Sequence, residues 1–413
     1  MSRLRVVLVS MLPLVLAVVG QWVLVTTFWP PPSTWVCSFL LLNFRLAADI
    51  HISILGADNA IEVSVVLPNA THVTANAYHN TDVFWAIRGG GGPSFGIATS
   101  ITYKVHPQFP VYAAFFEATT NSPVAFVNLV DSFHSALPSL AEAGWSGYYP
   151  FRSGDYFALM YLLPNGNAAL ANSTLGVWID EAAQMSGVTI KTNASTLYNN
   201  YEAWLFANIL DPVNVIGFNL VASATLGIGL ATASCLIPTD VFTDRTASNQ
   251  LSQAMANMGG GIGQYVGRAS SQSWLLVLMR KTCRHVGGGV VSTHPGDYNA
   301  IHPAWRDALV DLVIFSEWQD GTSETDIEAA RQNLTDAMAP VRALMPDNPA
   351  QYLNEVSNDI TRYFELTTST FGRDSRICSC PTLLRPTGAP TTLVCCPSSE
   401  RSTQTTCCLS CRV

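Results

Sequence analysis

An α+β fold in two domains is what the sequence predicts, and three features predict it. The chain has 413 residues, 48% of them hydrophobic and only 12% charged, which supplies more apolar matter than one core uses, since single cores stop growing at roughly 250 to 300 residues. Strand-like stretches dominate up to residue 106. Beyond Pro110 amphipathic helices alternate with β-type runs in no strict βαβ order, as in a layered α+β domain.

Taken in chain order, Ile61 to Leu67 alternates apolar and polar residues up to Pro68-Asn69-Ala70, and Thr71 to Ala77 resumes in β-branched style, the pattern of a hairpin. Asn80 or Thr81 then offers a cap for a short helix carrying Phe84, Trp85 and Ile87. Four glycines follow. Gly96 to His106 alternates again, with Ile97, Thr99, Ile101, Tyr103 and Val105 on one face, and Pro107 ends the strand. Ser122-Pro123 opens a helix running to about Leu137, with cap and proline in favoured first positions. Further helices are expected at 168–185, 197–210, 238–258 and 323–344, and strands at 144–163, 188–192 and 275–279. Together these make a sheet covered by helices. From Arg373 onward the chain is rich in Thr, Ser, Pro and Cys, and neither period appears there, so residues 373–413 are expected to be disordered.

A net charge of −8, with 21 Lys and Arg scattered along the chain, leaves no basic footprint for a nucleic acid. Arg3 and Arg5 precede a stretch from Val6 to Phe44 without a charged residue. That pattern fits a signal peptide within residues 1–25 and hence secretion. The same stretch is long enough for a membrane anchor, which needs ~20 residues, so membrane association is expected only if the leader is retained. Four Asn-x-Ser/Thr triplets, at Asn69, Asn172, Asn193 and Asn333, would accept glycans in the secretory route. Seven of ten cysteines crowd between Cys378 and Cys411, but Cys395-Cys396 and Cys407-Cys408 are adjacent pairs and no His lies beyond His302, so no zinc site is expected.

The glycine-rich loop is the most informative segment: Asp82-Val-Phe-Trp-Ala-Ile-Arg-Gly-Gly-Gly-Gly-Pro-Ser-Phe-Gly-Ile-Ala-Thr. Consecutive glycines bring backbone N–H groups close to a ligand, or simply make a tight turn. No register of the glycines gives the dinucleotide fingerprint Gly-x-Gly-x-x-Gly, and the Gly-Lys-Ser/Thr of a P-loop is absent. Gly92-Pro-Ser94-Phe-Gly96 matches the nucleophile elbow of serine hydrolases, but that elbow needs a strand before the serine and a helix after it. Here the order reads as the reverse.

With its flanks, this loop resembles the second half of the FAD-binding domain of berberine-bridge-enzyme-like and vanillyl-alcohol-oxidase-type flavoproteins, the PCMH-type domain, in its fungal form. The likeness begins at Gly56-Ala57-Asp58-Asn59-Ala60-Ile61-Glu62 and runs through Gly89-Gly90-Gly91-Gly92 and Phe95-Gly96-Ile97. Gly287-Gly288-Gly289-Val290, His302-Pro303-Ala304-Trp305-Arg306-Asp307 and Gln351-Tyr352-Leu353-Asn354-Glu355 are similar to later landmarks of that family. The resemblance implies a partial FAD-binding domain at 48–108 and 346–372, with a substrate domain at 109–345 between them. It implies that Gly89, Gly90, Gly91, Gly92, Phe95, Gly96 and Ile97 lie along FAD, that Asn354 hydrogen-bonds the flavin, and that Tyr352 is the catalytic residue. The activity implied is hydride transfer from an alcohol, sugar or secondary-metabolite carbon to the flavin, with molecular oxygen as acceptor.

In the family, a preceding half-domain holds the pyrophosphate on a glycine-rich turn and supplies the His that bonds the flavin. Here about 50 mostly apolar residues stand in that place, with no His before His51 and no Gly pair. The expectation is a chain truncated at both ends and without that half-site, inactive if the missing half is needed to hold FAD. A non-catalytic remnant or gene-model fragment, and a serine hydrolase using Ser94, remain the alternatives.

Overall fold

The computed structural model describes residues 55–90, 95–104, 107–205, 207–208, 228–258, 281–293, 299–319, 321–346, 349–352 and 355, with three short strands, Arg3–Val7 (β1), Ala17–Val19 (β2) and Trp22–Leu24 (β3), nearer the start. Gly91, Gly92, Ser94, Asn354, the strand expected at 275–279 and the Cys-rich tail lie outside the described residues.

Two antiparallel sheets carry the architecture. The smaller has the order β1-β6-β4-β5, with β4 at Ala60–Val66, β5 at His72–Asn76 and β6 at Ile97–Lys104. The hairpin turn holds Asn69, whose side chain accepts from the Thr71 N–H at 3.0 Å, and places Ala70 at φ 64°. Helix Thr81–Ile87 (α1) follows. Its expected side-chain cap is not made, because Asn80 sits in the left-handed region and donates its amide to the Thr74 carbonyl instead. The alternation of β6 is also interrupted. Ser64 pairs Ser100 but Val65 pairs Ala98, so Thr99 is an extra residue that reverses the faces on either side of it. Ile97 is therefore 56% exposed while Ala98 and Ile101 are buried.

The larger sheet has the order β10-β7-β9-β8-β12-β13-β11. Its strands are Val111–Thr120 (β7), Ser146–Arg152 (β8), Tyr156–Pro164 (β9), Val188–Tyr198 (β10), Ile228–Pro238 (β11), Lys281–His285 (β12) and Ala308–Gln319 (β13). Alternate residues Phe116, Ala118, Tyr149, Phe151, Phe157, Leu159, Tyr161, Cys283, Leu312 and Ile314 face one side and join one core with the helices Pro123–Ala143 (α2), Val177–Gln184 (α3), Arg245–Asn257 (α4) and Glu324–Arg342 (α5). Phe133 of α2 is the hub of this layer, in edge or tilted contact with Tyr149, Phe157, Tyr161 and Trp178 at ring separations of 4.9 to 5.8 Å; such aromatic pairs add specific geometry to the apolar burial. Ser122 caps α2 through the Ala125 N–H.

Several expected boundaries move: the helix expected to about Leu137 continues to Ala143, the strand expected at 144–163 is the pair β8 and β9, and the helix expected at 238–258 is interrupted at Asp244. The strand expected at 188–192 continues to Tyr198, because it pairs with β7 along its whole length, and the helix expected from Leu197 starts at Tyr201. The helix expected at 168–185 passes through a π-helical turn, Asn172–Gly176.

The β11 end of the large sheet shares a core with the small sheet. A second core joins Leu55, Val63, Val65, Phe84, Ile87 and Ile101 to Leu236, Ile301, Trp305, Ala350 and Tyr352. The last two arrive through an antiparallel bridge from Ala350 to Leu236 on β11.

Candidate functional site

The site expected from the sequence has two parts, and the fold brings their described members into one core. Helix α1 ends at Ile87, and Gly89 follows at φ 121° while Gly90 donates its N–H to the Ala86 carbonyl. Both glycines are buried. A Cβ on Gly89 would lie 2.4 Å from the Ile301 nitrogen, and one on Gly90 would lie 2.4 Å from the Ala86 oxygen and 2.8 Å from the Phe95 ring. Only glycine is admitted at either position. Gly96, at φ 144°, would drive a Cβ to 2.6 Å from the Val66 carbonyl. Phe95 is half-buried and Ile97 projects outward.

Tyr352 is 1% exposed. Its backbone N–H donates to Ser234 Oγ at 2.9 Å, its ring meets Trp305 edge-on at 5.4 Å, and the Arg284 guanidinium lies 5.7 Å from the ring centroid. Trp305 in turn belongs to the segment that abuts Gly89 through Ile301. Tyr352 and the glycine turn are therefore joined by one continuous set of packed side chains.

A charged cluster on the far face of the large sheet was not foreseen. Arg284 on β12 is directly opposite Asp311 on β13 and Tyr148 on β8. Its Nη2 lies 2.7 Å from Asp311 Oδ2 and also pairs with Glu355. Asp311 is fully buried, and no donor satisfies its Oδ1 among the described residues. Burial pushes the Asp311 carboxyl up to about 7; Arg284 opposes that rise and Glu355 adds to it. Near neutral pH this group holds a proton part of the time, a property common where acid–base work is done. The sequence signal was Asp311 inside the apolar run Leu309 to Phe315, since a charge in such a run is buried only with a partner.

A small cavity of about 170 Å³ opens on the same sheet beside β7, β9 and β10, lined by Phe115, Met160, Thr196, Tyr198, Trp204 and Asn208 among others. None of its lining side chains is charged. Asn208 donates to the Tyr198 hydroxyl at 3.0 Å.

Ser94 itself is not described, but its flanks are helix α1 before it and strand β6 after it, the reverse of a nucleophile elbow. Among the described residues no cluster of His, Cys, Asp and Glu could hold a metal ion, and no helix is long and apolar enough to cross a membrane.

No family model matches the chain. An uncharacterized FAD-linked oxidoreductase of Arthroderma benhamiae is 28% identical over 319 residues, covering 75% of this chain and 50% of that one. FAD-linked oxidoreductase orf1 of Neocamarosporium betae is 27% identical over 307 residues, covering 73% and 47%. The chain thus spans about half the length of the curated relatives it matches. Among solved structures, the VAO-type flavoprotein MtVAO615 from Myceliophthora thermophila superposes with a TM-score of 0.58 at 19% identity, over 78% of this chain and 56% of that one. A Physcomitrella patens BBE-like 1 variant gives 0.55 at 20% identity, over 76% and 60%.

Proposed function

We propose, from the premise that this chain is related to fungal FAD-linked oxidoreductases and has the fold of VAO-type and BBE-like flavoproteins, that it binds FAD and serves hydride transfer from an alcohol, sugar or secondary-metabolite carbon. One observation carries the reading: Ala350 and Tyr352 return across the large sheet into the core that supports Gly89 and Gly90. A ligand laid along the glycine turn would meet residues from both ends of the described chain.

The residues present fit a flavin cofactor in kind. Gly89, Gly90 and Gly96 leave no side chain between the turn and its neighbours, and on this reading Gly91, Gly92, Phe95 and Ile97 also contribute to binding FAD. Asn354 supplies an amide partner and Tyr352 the proton-accepting phenol. When bound, the flavin accepts the hydride and passes the electrons to oxygen, which the protein itself does not do. The chain's own contribution is to orient and to manage protons. Arg284 packs 5.7 Å from the centre of the Tyr352 ring and helps hold it in place, and Asp311 supplies a carboxyl able to take up or release a proton at neutral pH. The uncharged cavity beside Trp204 and Tyr198 suits a neutral substrate ring.

Anaerobic mixing of the FAD-loaded protein with a panel of alcohols and oligosaccharides tests this. Bleaching of the visible flavin band is expected, slowed about a hundredfold or more in Tyr352→Phe, the scale of a lost general base. Bleaching at the same rate in Tyr352→Phe would remove the tyrosine from its role. A flavin unresponsive to every donor would remove the activity.

The secretory reading belongs to the same proposal. Asn69, Asn172, Asn193 and Asn333 all stand at exposed positions, on a hairpin turn, two helices and an edge strand, where a glycan meets no packed neighbour. Expression in a eukaryotic secretory host should yield protein whose mass falls on treatment with an N-glycosidase. An unchanged mass would count against passage through that route.

A further inference from the structure

At Gly89 the room a side chain would fill is taken by the protein itself. The atom in the way is the backbone nitrogen of Ile301, and Ile301 is the end of a chain of polar contacts that begins at Arg306. Arg306 sits on the short helix Ala304–Asp307 and is 6% exposed. It grips Asp58 in a two-pronged pair, Nη1 to Oδ2 at 2.7 Å and Nη2 to Oδ1 at 2.8 Å, across 248 positions of sequence. Asp58 lies in the 3₁₀ turn Gly56–Asn59 that leads into β4, and it is equally buried. Its Oδ1 also accepts the side-chain amide of Asn299. The amide oxygen of Asn299 accepts the Ile301 N–H at 3.2 Å. One residue earlier, the Ala300 N–H reaches the Trp85 carbonyl of helix α1 at 3.3 Å.

We propose that Arg306 is the positioning residue of the glycine loop, acting through Asp58, Asn299 and the Ile301 main chain on Gly89; this rests on the flavin-facing reading of that loop. A buried carboxylate is tolerable only with its charge paired and its lone pairs used, so Asp58 fixes where Arg306 and Asn299 must stand. Asn299 then fixes the height of Ile301. Packed interiors transmit such constraints because they leave no slack, and at Gly89 the contact is already closer than any side chain would permit. Arg306 thereby fixes where the chain leaves helix α1 at Gly89, although it lies in the segment leading into β13 of the large sheet. Lysine could supply the charge but not the two parallel bonds.

The test compares wild type with Arg306→Lys, Arg306→Met, Asp58→Asn and, as a control of matched melting temperature, Leu129→Ala in the helical layer, where Leu129 is fully buried. Amide exchange is followed on peptides covering 84–90 and 299–306, and FAD affinity by quenching of flavin fluorescence. In Arg306→Met and Asp58→Asn, exchange should rise about tenfold on both peptides, as local opening becomes easier, with a loss of FAD affinity of similar size. Arg306→Lys should fall between these and wild type, and Leu129→Ala should change neither. Loosening of 299–306 with 84–90 unaffected would overturn the proposal, as would the same pattern in Leu129→Ala or an unchanged FAD affinity in the loosened variants. If wild type binds no FAD, the flavin reading falls, and the exchange arm alone decides whether Arg306 sets the loop. Should Arg306→Met not fold, Gly89→Ala probes the seam from its other side. It must raise exchange at 299–306, and unchanged exchange there would overturn the coupling.

Discussion

Asp311 shows how far a single residue's chemistry is set by its neighbours. Placed on β13 opposite Arg284, it has a cation to pair with but no second donor among the described residues, and burial outweighs that pairing. Its carboxyl rises from 3.8 to about 7 in the folded protein. Over that interval the native state holds a proton that the unfolded chain has released. Stability from this group is therefore full at low pH, falls as pH rises through the interval and levels off above it, opposite to the usual behaviour of a paired carboxylate. Thermal unfolding should show a melting temperature that declines between about pH 4 and 7 in wild type, with a flatter profile in Asp311→Asn. Parallel profiles would mean that Asp311 is ionised throughout. Cys235 and Cys283, buried on the helical face with their thiols pushed up, should by contrast resist thiol reagents in the folded protein.

At the scale of elements, strand β6 depends on Gly96, whose φ of 144° and approach to the Val66 carbonyl leave no place for a side chain. Gly96→Ala should cost about 1 to 3 kcal/mol in urea unfolding; a neutral effect would show that the β4–β6 pairing can shift to accommodate it. The elements legible in the sequence were those with one wet face. The hairpin of β4 and β5, helix α2 behind Ser122-Pro123 and helix α5 behind Ser323 all announce themselves by period and cap. Strands β7, β11 and β13 do not. Val-Tyr-Ala-Ala-Phe-Phe-Glu-Ala-Thr-Thr in β7 carries apolar residues on its half-buried face as well as its buried one, and Ala-Leu-Val-Asp-Leu-Val-Ile-Phe in β13 is buried almost throughout, so each reads as an apolar run with no period to separate it from a buried helix. The site divides in the same way. Gly89, Gly90 and Tyr352 enter the candidate site through motif resemblance alone, whereas Arg284 with Asp311, and Asp58 with Arg306, become pairs only through strand register and chain return. Local sequence does not encode either.

Across the whole molecule, the helical layer closes one face of the large sheet and leaves the other to the small sheet and the returning segment. On the proposed reading, a cofactor at the glycine turn of the small sheet would face a substrate held on the far face of the large one. The far face of the large sheet carries, in strand order, the uncharged cavity at β10, β7 and β9, Tyr148 on β8, Arg284 on β12 and Asp311 on β13. With strands about 4.8 Å apart, the span from cavity to charged cluster is that of a few strands, within reach of one substrate and one flavin ring. The central claim is that the glycine turn and Tyr352 flank a flavin. The most direct measurement is an equilibrium titration of the purified chain with FAD, followed by flavin fluorescence. Saturable binding at one FAD per chain is expected, weakened by Tyr352→Ala and by Gly90→Ala. Fluorescence that never saturates, or saturation indifferent to both substitutions, would contradict it.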